Sequence, residues 1–468
     1  MKKLSDENIE KFENFLNEII KQENAKGIAI KAFYNSGQII YEKYFGYRNE
    51  EKKLQIDENT IFGIASVTKS FVALSILQLV EKGKLSLEDP ISKYIKYFTN
   101  KNNPHPILIK HFLTHTAGFF PVNYITLGKI LQKFNAEDTL ENEIIFNNEF
   151  TEESLKTISI QLDNETEFIG RPGEYFSYCN DGYGILSEII HKISGIPFAT
   201  YVEENILKPL KMNRTNCSYV KNPLDKNCST LYTLKEGKWT IDMNFKDLAF
   251  PLTGAGSIKS TISDLTQYIL MFLNEGKLNE KKIIDKFFIK EMIKPRIFVN
   301  HNVYYGYGFN ISEIDNRRYI EHSGILPGVS SNISFCPEEQ LGIIVLCNTM
   351  NVSAKLLNKA LFNLIIGRKD VLESPKLPQI IWEKDIQEEV QGEYISKEDE
   401  EDNFIIEKKG NSFYLKSQDK EREVIPVFYN EALVKGKFED NFLFFLKNEE
   451  NKIFGARFGT RVLKKIKK

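Results

Sequence analysis

Apolar residues in the first segment keep a three-to-four-residue spacing: Ile9, Phe12, Leu16, Ile19 and Ile20 fall on one face of an amphipathic helix, with Ser5 placed to cap its start. Two β-rich runs, Ile28 to Tyr34 and Gln38 to Tyr44, then flank the turn sequence Asn35-Ser36-Gly37 and predict a hairpin. The middle of the chain has helical texture: an apolar segment after Ser66, a second after Tyr183, and Asp264 to Asn274 with Ser263 as its cap. β character returns at Tyr319-Ile320, Ile333 to Phe335 and Ile343 to Cys347. The last run is nearly unbroken and apolar, as in a central strand covered on both faces. A closing helix is predicted over Val352 to Ile366. Strands, an inserted mainly helical region, strands and a helix is the order of an α+β domain, in which early and late strands complete one antiparallel sheet.

Past Gly367 the pattern changes. Pro375 and Pro378 among charged residues read as a linker, covering 368–385. From about Gly392 short β-rich runs alternate with polar turns: Glu393-Tyr394-Ile395, Phe404-Ile405-Ile406, Ser412 to Leu415, Phe442 to Leu446 and Arg461-Val462-Leu463. Helical periodicity is absent. The expected organisation is a domain over 1–367, the linker, and a small antiparallel β-barrel over 386–468.

Composition narrows the function class. With 468 residues, 42% hydrophobic and 27% charged, the chain is that of a globular protein of more than one domain. A net charge of -2 offers no broad cationic field for nucleic acid or an anionic membrane. The lysines at the very end (Lys464, Lys465, Lys467, Lys468) read as a solvated tail. The five cysteines are odd in number and form no C-x-x-C pair, a usage that fits a reducing compartment. No apolar h-region follows Lys2 and Lys3, and no apolar run is long enough to span a bilayer, so the expected location is the cytoplasm.

The candidate chemistry is that of a serine nucleophile. In S-x-x-K on a helix, residues i and i+3 share a face, so Lys69 can stand beside Ser66 and act on its hydroxyl. The pattern occurs three times, also at Ser218/Lys221 and Ser417/Lys420, both in loop-like surroundings; only Ser66 joins a β-like run to a long apolar helix. Tyr178-Cys179-Asn180 supplies a tyrosine that can exchange protons with a nucleophile and an asparagine that can hold a lysine and a substrate amide. A second Y-x-N, Tyr47-Arg48-Asn49, precedes the serine in a polar turn. His322-Ser323-Gly324 is the one H-x-G of the chain, and a glycine on a strand admits close backbone approach, here expected of substrate.

The ordered set Ser66-x-x-Lys69, Tyr178-x-Asn180, His322-x-Gly324 resembles the superfamily of penicillin-binding proteins and class C β-lactamases, in its CubicO-type branch. Flanking segments agree: Gly83-Lys84-Leu85-Ser86-Leu87, Leu113-Thr114-His115-Thr116-Ala117-Gly118, Pro172-Gly173, and Gly254-Ala255-Gly256 before Ser260-Thr261. The resemblance covers about Gly27 to Ile366. It implies Ser66 as acylated nucleophile, Lys69 and Tyr178 sharing its proton, Asn180 orienting lysine and substrate, and an oxyanion hole made by the backbone N–H groups of Ser66 and Ile325. His115 reads as part of a hydrogen-bonded turn beneath the site. No cofactor is implied, and no metal, since serine acylation needs none and the six histidines include no ligand-like pair.

The third motif departs from the lysine that transpeptidases and β-lactamases usually carry. His322 would give at most a partial positive charge near neutral pH, which weakens the case for substrates recognised by a carboxylate. The expected activity is hydrolysis of small peptides, D-amino-acid-containing ones included, or of esters. A β-lactamase or D,D-peptidase, and a sensor that is acylated without turnover, are the alternatives. The partner is then a small molecule or short peptide. A homo-oligomer is left open. The carboxyl-terminal region resembles the lipocalin-like barrel that follows the catalytic domain in some relatives, where it would shape the site entrance or mediate assembly.

Overall fold

The computed structural model describes residues 4–120, 151–218, 221, 225–235, 237–242, 253–372, 377–398, 400–418 and 420–466. Helix α1 (Asp6–Glu23) forms where the spacing places it. Ser5 Oγ accepts from the N–H of Asn8 at 3.2 Å, Phe12, Leu16 and Ile19 are buried, and Asn24 ends the helix at φ 49°. The chain then enters β1 (Gly27–Tyr34) and turns through Gly37 into β2 (Ile39–Asn49).

The early and late strands of residues 4–367 meet in one sheet. Late strands β3 (Arg317–Leu326), β4 (Val329–Cys336) and β5 (Leu341–Cys347) run antiparallel, and β1 pairs with β5 with Ile30 opposite Val345. Three strands between Ile297 and Ile314 extend the sheet beyond β3, and β2 with Leu54–Gln55 closes the other edge, nine strands in all. Alternation sorts the side chains. Ile28, Ile30, Ile343 and Val345 pack against α1 and the closing helix α5 (Ala354–Ile365). Ala29, Phe33, Ile344 and Leu346 face α2 (Thr68–Glu81), α3 (Asn180–Ser194) and α4 (Ile262–Leu273). Cover on both faces is why β1 and β5 read as continuous apolar runs.

The expected cap of α4 is corrected. Thr261, in extended backbone, accepts from the N–H of Asp264 at 3.1 Å, so the helix begins at Ile262 and Ser263 already lies inside its first turn. Pro375 and the last two lysines lie outside the described residues, as do residues 121–150.

A closed barrel of eight antiparallel strands follows, its first strand (Gly392–Ile395) pairing with its last, β7 (Arg461–Lys465). Trp382, Tyr394, Phe404, Phe413 and Phe445 fill it, and the Trp382 indole N–H reaches the Phe428 carbonyl at 2.8 Å. The fold is therefore α+β with a separate all-β barrel. The hairpin of β6 (Ile453–Phe458) and β7 turns in two residues, Gly459-Thr460, with Gly459 at φ 72° as such tight turns require. Its tip meets the chain just before α3, where the Tyr178 N–H donates to the Thr460 carbonyl at 2.8 Å.

Candidate active site

Ser66 sits in a tight turn between a short strand, Phe62–Gly63, and α2. The strand is held by pairing with Lys259–Ser260, and Ala65, at φ 44°, turns the chain into the helix. A non-glycine residue there is strained. The turn is pressed against β3: a β-carbon on Gly324 would lie 2.2 Å from the Ile64 carbonyl oxygen and 2.9 Å from Ala65 Cβ. Gly324 thus makes room for the segment that carries Ser66.

One helical turn on, Lys69 is fully buried. Its Nζ lies 3.0 Å from Ser66 Oγ and donates to the Ala255 carbonyl at 2.8 Å. Ala255 belongs to the Gly254-Ala255-Gly256 segment, packed against α3. Burial, and then the nearby Arg461 guanidinium, hold the amine well below its ordinary pKa. An amine so held gives up its proton more readily, and once deprotonated it can take the proton of the serine hydroxyl.

Tyr178 closes the other side, its ring 4.8 Å from Lys69 Nζ. Burial raises its phenol above the ordinary value, while a hydrogen bond with Ser66 and the charge of Arg461 pull the other way. The phenol stays protonated at neutral pH and can donate. Asn180 opens α3, so the Y-x-N motif spans the last two residues before the helix and its first residue. Asp181, buried beside it, has its carboxyl pushed up to about 7, first by burial and then by Glu398.

His322 projects from β3 toward the same centre, 6.3 Å from Tyr178 between ring centroids. It is buried, with Nδ1 against the Ser323 carbonyl at 2.7 Å and Nε2 3.0 Å from the Tyr305 hydroxyl. Nδ1 therefore carries the proton and Nε2 accepts from Tyr305. Burial above all lowers its pKa to about 4, so at neutral pH it is an uncharged ring. Ile325, the next residue but two, is 61% exposed on the same strand.

The other copies of the motifs stand apart. Ser218 Oγ accepts from the Lys221 N–H at 2.9 Å. Ser417 and Lys420 face each other across a barrel hairpin. Asn49 bonds Thr230 at the end of β2. Among the described residues no cluster of His, Cys, Asp or Glu is placed to hold a metal ion, and no helix is long and apolar enough to cross a membrane. No disulfide joins the cysteines.

These relationships coincide with a family. The model of the Beta-lactamase family matches residues 12–364, about three quarters of the chain. The chain belongs to the Beta-lactamase family. A relative within its reach is PbpX of Bacillus subtilis (strain 168), 28% identical over 358 residues, which are 76% of this chain and 78% of that protein. The octameric penicillin-binding protein homologue from Pyrococcus abyssi is 27% identical, with a TM-score of 0.68 over 97% of this chain and 99% of that one. SurE, solved with D-Leu, has the same fold, with a TM-score of 0.67 at 16% identity over 99% and 100% of the two chains. The Beta-lactamase family fold is one of serine hydrolases, and the coverage of the two structures extends the likeness through the barrel.

Two contributions to this Beta-lactamase family site come from outside the three motifs. His115 lies beneath Tyr178 with the rings stacked, and its Nδ1 accepts from the Cys179 N–H at 3.0 Å. It sits in the expected turn, where Thr114 and Thr116 hydroxyls meet at 2.8 Å. Arg461, from the barrel, stands 5.2 Å over the Tyr178 ring. It comes from a distant domain, and only Gly459 in the turn before it hints at a tight hairpin.

Proposed function

We propose that the protein is a serine hydrolase acting on small peptides, D-amino-acid-containing ones included, or on esters, through an acyl-Ser66 intermediate. The observation that carries this reading is the 3.0 Å approach of a buried Lys69 amine to Ser66 Oγ. Neutral Lys69 takes the hydroxyl proton as Ser66 Oγ bonds to the substrate carbonyl carbon. The backbone N–H groups of Ser66 and Ile325 receive the oxyanion. Collapse breaks the bond to the alcohol or amine, which leaves with a proton delivered through Tyr178 and Lys69, while Asn180 orients lysine and substrate. Water then attacks the acyl carbon, releases the acid and restores the Ser66 hydroxyl.

The neutral state of His322, with its Nε2 engaged by Tyr305, favours substrates that bring no carboxylate to the third motif. A β-lactamase or D,D-peptidase would want a charge there. The name of PbpX and the D-Leu bound to SurE are properties of those proteins; they support penicillins and D-amino-acid compounds as the test substrates here, and the octameric homologue supports self-association as a state to measure. Specificity constants for an uncharged activated ester, D- and L-aminoacyl anilides and a penicillin decide the matter. Faster turnover of the ester or an anilide is expected; a preference for the penicillin overturns the substrate reading, and acylation without turnover of any of them points to the sensor.

A further inference from the structure

The barrel's last hairpin touches three consecutive residues that end on Tyr178, the first residue of the second motif. Arg457 Nη1 donates to the Phe176 carbonyl at 3.1 Å, the Val462 N–H donates to Ser177 Oγ at 3.3 Å, and the Tyr178 N–H donates to the Thr460 carbonyl at 2.8 Å. The second guanidinium nitrogen of Arg457 reaches the Val299 carbonyl. The turn that follows lays Arg461 over the Tyr178 ring. Arg461 is in turn gripped by Glu398 through both carboxylate oxygens, with Nη2 to Oε1 at 3.0 Å, and the Glu398 side chain is 5% exposed. A guanidinium held by two bonds to a buried carboxylate is fixed in place.

We propose that the barrel is part of the catalytic apparatus: its last hairpin positions Tyr178, and the Arg461–Glu398 pair it carries sets the charge under which Lys69 and Tyr178 exchange protons. Both residues act through Lys69 and Tyr178, as positioning residues. This rests on the acyl-Ser66 reading above.

The two barrel charges push in opposite directions. Arg461 disfavours the ammonium form of Lys69 and favours the phenolate form of Tyr178, whereas Glu398 does the reverse to each. From the rest of the chain Lys69 and Tyr178 are faced by Cys179 and Asp181 at the start of α3, His115 beneath, and His322 and Glu321 from the sheet. Those groups are unchanged when only barrel residues are altered. Asp181 feels Glu398 and Arg461 with the same signs as Lys69 does, so the direction of the effect is the same whichever group governs the acid limb.

The test is the pH dependence of kcat/KM of the full chain on an uncharged ester, for which a carboxylate-binding role of Arg461 has no effect. Arg461→Gln should move the acid limb to higher pH, Glu398→Gln to lower pH, and the double variant back toward the parent. Arg461→Lys, which keeps the charge, should restore most of the parent profile. If Arg461→Gln does not fold, Glu398→Gln and Arg461→Lys still decide. Unmoved limbs, or limbs that move the same way, overturn the proposal. Ser66→Ala run alongside separates the two failures: if it still turns over ester, the acyl-Ser66 reading has failed, whereas an inactive Ser66→Ala with unmoved barrel variants sinks only the barrel's role.

Discussion

His115 and Tyr178 lie ring against ring, centroids 4.1 Å apart at an interplanar angle of 28°. The same imidazole accepts the Cys179 N–H, and its own backbone carbonyl accepts from Ser177 at 2.9 Å. One residue thus fixes both the plane of the tyrosine and the path of the chain that carries it. Burial, then Lys69, keep the ring far below its ordinary pKa, so it does this as a neutral acceptor.

His115→Phe should keep the stacking and strand a buried N–H, a defect of about 1–3 kcal/mol. The expected result is a folded protein of lowered melting temperature whose kcat falls about tenfold or more, with KM for a small ester little changed. An unaltered kcat would show that Tyr178 needs no support from below.

His322 gives the fold a pH dependence of known sign. Its pKa is about 4 in the folded protein against 6.5 ordinarily. Between these values the unfolded chain binds more protons, so this contribution is fully present above pH 6.5 and is lost as pH falls toward 4. His111, also lowered to about 4, acts in the same window, and Asp181 acts with opposite sign between 3.8 and about 7. Comparing the parent with His322→Gln cancels both. Urea unfolding at pH 6.5 and pH 4.5 should show the parent losing more stability than the variant, by at most about 3 kcal/mol. Equal losses would place His322 in a wetter setting than its bonds to Tyr305 and Ser323 allow.

How much of this was legible in the chain depends on how locally each feature is encoded. α1, the β1–β2 hairpin and the apolar strand β5 follow from periodicity, because each element's own residues dictate it. Ser66 and Lys69 meet because i and i+3 share a helix face, a relation that spacing alone contains. Gly324 was visible as a glycine on a strand, but the group pressing on it is the Ile64 carbonyl, which no local pattern names. The cap of α4 was misplaced by two residues because Thr261 and Ser263 are chemically equivalent candidates and only backbone geometry separates them. Arg461 was beyond reach. Its partner Tyr178 is 283 positions away, and only the packing of two domains brings them together.

Cutting the chain after Gly367 removes that packing. Phe120 and Ile169 lose the cover of Leu446 and Val462, and Ser177 and Tyr178 lose their bonds to the hairpin. The truncated protein should aggregate more readily, and its soluble fraction should acylate roughly tenfold or more slowly than the full chain, within the range seen when acid–base groups lose their geometry. Labelling at the full rate would make the barrel dispensable for chemistry.

The central claim is that Ser66 is the residue acylated, and intact-mass analysis after a fluorophosphonate tests it directly. The parent should gain the mass of one phosphonyl group, mapped to the peptide that contains Ser66. Ser66→Ala should gain none while keeping its circular dichroism spectrum and melting behaviour, since the change removes one hydroxyl from a turn held by strand pairing and by Gly324. A Ser66→Ala protein that still takes up one phosphonyl group would put the nucleophile elsewhere and contradict the account.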